Sequence, residues 1–117
     1  MGRILFVTAG VAAGIATAAP KPGPELRATG KALYEGQVGC FACHGLTGAG
    51  NGPVAFAIKP PPRDFTKEPF KNGDSLEQIF GTITNGLPNT KMVGYPQLSE
   101  DDRWALASYV QSFRPKK

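Results

Sequence analysis

Both cysteines of the chain and its only histidine lie together in the segment Cys40-Phe41-Ala42-Cys43-His44. This is the C-x-x-C-H spacing of covalent haem attachment. Two thiols one helical turn apart lie on the same face and can each add to one vinyl group of a haem, and the next residue can present its imidazole to the iron. The motif therefore predicts one haem c, bound covalently through Cys40 and Cys43, with His44 as an iron ligand.

Other sites that use these residue types fit the sequence less well. A thioredoxin-like C-x-x-C would need a surrounding βαβ pattern, and the sequence shows none. A structural zinc site takes four ligands, whereas two cysteines and one histidine supply three. The glycine-rich segment 45–52 has neither the preceding strand nor the following Lys-Ser/Thr of a phosphate-binding loop. Haem attachment is the interpretation that accounts for the spacing.

A second axial ligand can be sought by elimination, because His44 is the only imidazole. Met1 and Met92 are the two methionines, and Met1 would leave with the leader described below. Met92 lies in a loop-rich stretch, 86–96, that turn residues bracket and that could approach a haem closely. Sulfur ligation favours reduced iron and raises the reduction potential. We expect Met92 to be the distal ligand, and an open iron position or a lysine ligand is the alternative.

The first residues look separable from the rest of the chain. Arg3 precedes a short apolar run, and small residues follow up to Ala18 and Ala19, the form of a cleavable secretory signal. A spanning helix needs about 20 mostly apolar residues, so an uncleaved anchor is the weaker alternative. We predict a signal peptide over 1–19, a Pro-rich linker over 20–24, a single domain over 25–117 and a periplasmic location. The formal net charge of +4 is too small and too dispersed to indicate nucleic-acid binding.

Helical periodicity dominates the predicted domain. An amphipathic helix is expected over 25–37, ahead of the cysteine motif. A capping box with Asp74 at the N-cap and Glu77 at N3 predicts a second helix that ends near Gly86. Ser99, followed by three acidic residues, predicts the start of a third helix. No alternating strand pattern appears, so the expected fold class is all-α.

Several of these features together resemble the small class I cytochromes c of bacteria. They are the segment from Gly39 to Gly45, the single Met that follows Asn85-Gly86-Leu87-Pro88, and the sequence Asp101-Asp102-Arg103-Trp104 on the last helix. The resemblance extends from about Leu26 to Phe113. It implies a cytochrome c fold, with three to four main helices wrapped around one covalently attached haem.

The resemblance also implies roles for individual residues. Cys40 and Cys43 would form the thioethers, with His44 as the proximal ligand and Met92 as the distal ligand. Pro53 matches the family position whose carbonyl accepts a hydrogen bond from the histidine Nδ1. Close crossing of the terminal helices is implied at Gly30 and Tyr109. One departure is that Val93, and not a proline, follows the ligand Met, which puts the rigidity of this loop in question.

These features predict a periplasmic one-electron carrier that is not an enzyme, because both iron positions would be filled. It would be a monomer with no stable membrane insertion, docking transiently with redox partner proteins at an exposed haem edge. Five lysines could steer acidic partners there, with ordinary solvated surface charge as the favoured alternative: Lys31, Lys59, Lys67, Lys71 and Lys91. The alternatives are a haem c electron-transfer subunit of a larger respiratory or dehydrogenase complex, and an enzyme that works at a vacant iron position.

Overall fold

The fold is built from short helices. A computed structural model describes residues 20, 21 and 23–115. It contains a 3-10 turn, Ala55–Ala57, and four α-helices: α1 (Pro24–Glu35), α2 (Phe41–His44), α3 (Leu76–Asn85) and α4 (Glu100–Gln111). The described ranges hold no strand, which confirms the all-α prediction. None of their helices is long and apolar enough to cross a membrane. The predicted signal peptide, 1–19, lies outside the described residues.

The ends of the helices follow from local chemistry, with one correction. Helix α4 begins as predicted, because the Ser99 hydroxyl accepts a hydrogen bond from the Asp102 N–H at 3.1 Å. Helix α3 is also capped by a capping box, but one residue further along than predicted. The Ser75 hydroxyl accepts from the Gln78 N–H at 3.0 Å, and the Gln78 side chain accepts from the Ser75 N–H at 3.1 Å. The expectation of Asp74 and Glu77 was therefore wrong.

Contacts with the end of α4 explain why Asp74 does not cap α3. Its backbone carbonyl accepts a hydrogen bond from the Gln111 side chain at 3.1 Å. Its carboxylate lies 3.8 Å from the Arg114 guanidinium. Asp74 therefore joins the segment before α3 to the C-terminal end of α4, and the next residue caps the helix.

Helix α4 is the centre of the packing, because both α1 and α3 lie against it. Gly30 of α1 is buried at the crossing with α4, where Ala105 and Tyr109 lie so close that a larger side chain would overlap them. The predicted close crossing is therefore confirmed. The buried core consists mainly of apolar side chains from these three helices: Tyr34, Leu76, Ile79, Ile83, Trp104, Ala105, Leu106, Ala107 and Val110.

Candidate functional site

Helix α2 places the predicted haem-binding residues on one wall of a cavity. Cys40 precedes the helix, and its carbonyl accepts hydrogen bonds from the N–H groups of Cys43, at 3.3 Å, and of His44, at 3.1 Å. Cys40, Cys43 and His44 all line the same cavity, which has a volume of about 320 Å³. No disulfide joins Cys40 and Cys43. One helical turn therefore presents two sulfur atoms and one imidazole to a common space.

Met92 lies on the wall of the same cavity, together with Leu87, Thr90 and Val93 of its own loop. The structure thus brings the four predicted haem-binding residues Cys40, Cys43, His44 and Met92 to one space. Most of the remaining lining is apolar and comes from α3, α4 and the segment 58–70: Ile58, Pro60, Pro61, Pro62, Phe65, Phe70, Ile79, Ile83 and Val110. A cavity of this chemistry suits a flat, largely apolar ligand.

The imidazole of His44 is oriented by the backbone of Arg63. Its Nδ1 lies 3.2 Å from the Arg63 carbonyl oxygen. A carbonyl only accepts hydrogen bonds, so Nδ1 carries the proton and Nε2 keeps the lone pair that a metal needs. This corrects the expectation for Pro53, whose carbonyl was to accept this bond. Pro53 is exposed, and it does not line the cavity.

The path of the chain explains why the Arg63 carbonyl, and not that of Pro53, faces the His44 imidazole. Hydrogen bonds on both sides of Pro53 tie it to α2, since the Gly52 N–H donates to Cys43 and the Val54 N–H donates to Ala42, each at 3.0 Å. The segment 62–65 instead runs along the loop that follows His44. Gly50, at φ 78°, lies so close to it that a Cβ there would be 2.8 Å from the Pro62 carbonyl oxygen. The close approach brings the Arg63 carbonyl to the imidazole, and the hydrogen bond from the Phe65 N–H to the Gly48 carbonyl fixes the segment there.

Phe65 is a residue of the site that sequence reasoning missed. Its ring stacks on the His44 imidazole, with ring centroids 4.3 Å apart and planes inclined by 21°. Its N–H donates to the Gly48 carbonyl at 2.7 Å, and its own carbonyl accepts from Arg114 at 3.2 Å. The signal in the sequence that could have found it is its position shortly after Pro60-Pro61-Pro62, a stiff run of prolines. The aromatic ring limits rotation of the imidazole and shields it from water.

Burial shifts the pKa values of the predicted haem-binding residues His44 and Cys40. It lowers the pKa of His44, although the hydrogen bond with the Arg63 carbonyl acts in the opposite direction. The neutral imidazole that a metal requires is therefore favoured. Burial also raises the pKa of the Cys40 thiol to about 11. Before a thioether forms, the Cys40 thiol is therefore protonated at neutral pH.

The positive charges on the cavity wall are complementary to the negative charges of a haem. Arg63, Lys71 and Lys91 line the cavity, and no Asp or Glu is among the described residues that do so. These cations can balance the two propionate groups of a haem. Together with the apolar lining and the two facing thiols, they show that the residues present fit a covalently held haem.

The five lysines predicted to surround the haem edge do not lie together. Lys71 and Lys91 are exposed and line the cavity. Lys31 forms an ion pair with Glu35 on α1 at 3.1 Å. Lys59 and Lys67 are exposed but are not part of the cavity wall. Two of the five are therefore placed at the site.

Comparison with known proteins gives two findings. The family model described as cytochrome c matches residues 27–114. A solved chain from the reducing HAO-like protein complex of Kuenenia stuttgartiensis is 34% identical, with a TM-score of 0.80. The match covers 85% of the present chain and 48% of that chain, so the present chain spans about half the length of this relative. A search of curated proteins finds no match.

Proposed function

We propose that this chain, which belongs to the cytochrome c family, is a monohaem carrier of single electrons between redox partner proteins. The observation that carries the proposal is the mainly apolar cavity that Cys40, Cys43, His44 and Met92 all line. Family membership supports haem electron transfer in general. The identity of the ligands and the role as a free carrier are the proposed steps.

Each residue has a defined task in this proposal. Cys40 and Cys43 would attach the haem through thioethers, and His44 and Met92 would ligate its iron. The haem supplies a metal centre that gains and loses one electron. The apolar wall limits access of water, which sets the potential together with the choice of axial ligands. If His44 and Met92 both held the iron, no position would remain for a substrate, and the role would be electron transfer and not catalysis.

Absorption spectroscopy of the purified protein in both redox states tests the proposal. We expect a c-type haem spectrum that persists after denaturation, because the haem is covalently attached. We also expect the ferric charge-transfer absorption that marks sulfur ligation. Met92→Ala should abolish this absorption, whereas Val54→Ala, at an exposed position that does not line the cavity, should retain it. A protein without covalent haem would refute the proposal, and an unchanged spectrum of Met92→Ala would favour the enzyme alternative.

Export and a periplasmic location are part of the proposal and are supported by the sequence pattern of residues 1–19. We expect the mature protein to begin after Ala18 or Ala19. Intact-mass spectrometry of the full chain expressed in a bacterium with a haem-attachment system measures this directly. The mass should be lower by the leader and higher by one haem. Retention of residues 1–19 would indicate an uncleaved anchor instead.

Transient docking with acidic partners is supported by the exposed Lys71 and Lys91 at the cavity wall. Their charge should raise the rate of association with an acidic partner, and salt should screen this effect. The second-order rate of electron exchange with an acidic redox protein should therefore fall as ionic strength rises. Glu substitutions at both lysines should reduce this dependence, while Lys31→Glu, on α1, should leave it close to that of the wild type. A rate independent of salt would contradict steering.

A second candidate is a haem subunit of a larger oxidoreductase complex. It is favoured by the likeness to a chain of the Kuenenia stuttgartiensis complex over 85% of the present chain. Purification of the full chain from its native host separates the two candidates. A carrier should elute as a free monomer, whereas persistent co-purification with a dehydrogenase or oxidase would support the subunit role.

A further inference from the structure

The loop that carries Met92 lacks the proline that would make it stiff, since Val93 follows the methionine. The loop is joined to α3 at both ends. It leaves the helix through Gly86, at φ 73°, and the Tyr95 N–H donates to the Ile83 carbonyl at 2.8 Å. These attachments fix the two ends of the loop. Hydrogen bonds within the loop then help to set the position of Met92 between them.

A closed set of three hydrogen bonds joins Leu87, Thr90 and Met92. The Thr90 hydroxyl donates to the Leu87 carbonyl at 2.8 Å and accepts from the Met92 N–H at 3.0 Å. The Leu87 N–H donates in turn to the Met92 carbonyl at 3.0 Å. The Thr90 side chain therefore bridges the two sides of the loop and holds the backbone amide of Met92.

The backbone between these residues brings the hydroxyl inward. Asn89 has a positive φ of 63°, a conformation that asparagine tolerates better than most residues. Thr90 is partly buried and lines the cavity together with Leu87 and Met92. Its hydroxyl is therefore partly shielded from water, so loss of its two bonds would leave the Leu87 carbonyl and the Met92 N–H without these partners.

We propose that Thr90 is the positioning residue for the distal ligand, and that its hydroxyl does the work that a proline after the methionine would otherwise do. This inference rests on the proposed ligation of iron by Met92. Thr90 does not touch the iron in this view. It lowers the fraction of molecules in which the loop opens and the sulfur leaves.

Imidazole binding to the oxidised, haem-loaded protein measures that fraction, because imidazole competes with Met92 for the iron. Thr90→Val keeps the shape of the side chain and removes the hydroxyl. We expect its imidazole Kd to be lower by about tenfold, the effect of roughly one net hydrogen bond. Thr90→Ser retains the hydroxyl and should stay within about twofold of the wild type.

Thr29→Val is the matched control, because the Thr29 hydroxyl bonds to the Glu25 carbonyl on the exposed side of α1. It should leave the imidazole Kd unchanged. Equal Kd values for Thr90→Val and the wild type would overturn the inference, as would an equal fall in Thr29→Val. Weakened sulfur charge-transfer absorption in Thr90→Val, restored in Thr90→Ser, would support it.

Two further measurements separate the possible failures. If the wild type lacks the sulfur charge-transfer absorption, ligation by Met92 fails and the role of Thr90 fails with it. If that absorption is present but Thr90→Val has the same imidazole Kd as the wild type, the proposed function stands. The inference about Thr90 alone is then refuted. If Thr90→Val does not take up haem, hydrogen exchange at the Met92 amide of the wild type decides. Slowed exchange supports the bond to Thr90, and exchange at the unfolded-chain rate overturns it.

Discussion

Gly30 allows α1 to lie directly against α4, and replacing it by alanine should destabilise the protein. A Cβ at this position would overlap the Ala105 carbonyl oxygen and lie 2.7 Å from its carbon and 2.8 Å from Tyr109 Cβ. The Ala105 carbonyl belongs to the backbone of α4, so a change of side-chain rotamer cannot relieve the overlap. The two helices would have to move apart, although Tyr34 and Ala105 are fully buried between them.

The size of the effect can be worked out from two opposing contributions. Overpacking of a rigid contact costs about 3 kcal/mol at the upper end of the usual range. Alanine in a helix is better than glycine by about 1 kcal/mol. The net loss is about 2 kcal/mol, which for a domain of this size lowers Tm by about 10 °C.

Gly81 provides the matched control, because it lies within α3 and a Cβ there would meet no atom within 4 Å. Gly81→Ala should therefore stabilise the protein by up to about 1 kcal/mol through helix propensity alone. Guanidinium unfolding of the haem-loaded protein, followed by far-UV circular dichroism, compares both variants with the wild type. The reasoning is refuted if Gly30→Ala is as stable as the wild type, or if both variants shift stability in the same direction.

Two other predictions follow from buried and capping hydrogen bonds. The Tyr34 hydroxyl donates to the Gly45 carbonyl at 2.7 Å in the interior, so Tyr34→Phe should lower the free energy of unfolding by about 1–3 kcal/mol; a loss too small to measure in urea unfolding would contradict this. Ser75→Ala should cost about 1 kcal/mol through loss of the α3 cap, whereas Asp74→Ala removes only a 3.8 Å surface ion pair with Arg114 and should cost less. The reverse order in thermal unfolding would restore Asp74 as the cap.

The comparison of expectation and structure at the caps shows how far local pattern reaches. Ser99 was predicted correctly because a single capping residue precedes the acidic turn. At α3, the structure uses Ser75 and Gln78, a pair with the same spacing one residue further along, which the prediction did not consider. Asp74 is held by Gln111 and Arg114 at the far end of the chain. A long-range contact decided a local question.

Residues around the proposed ligands were harder to predict than the placement of Cys40, Cys43, His44 and Met92 on one cavity. The carbonyl that faces His44 was expected from Pro53 and comes from Arg63. Phe65, which stacks on the imidazole, had no signal in the sequence beyond its position after a proline run. The hydroxyl bridge of Thr90 was also not foreseen. Each of these three contacts depends on which segment of the folded chain passes the site. Residue type alone does not predict that.

The sequence by itself determined the chemistry of the attachment motif, because Cys40, Cys43 and His44 lie within one helical turn and their relative geometry is local. It also pointed to Met92, because the chain has one histidine and two methionines, and Met1 lies in the predicted signal peptide. Only the tertiary structure decided how these residues meet and what orients them. Because segment 62–65 passes beside Gly50, the Arg63 carbonyl is the hydrogen-bond acceptor for His44. The fold of the loop places the Thr90 hydroxyl beside the Met92 amide. Such contacts arise from packing between segments, which spacing along the chain does not specify.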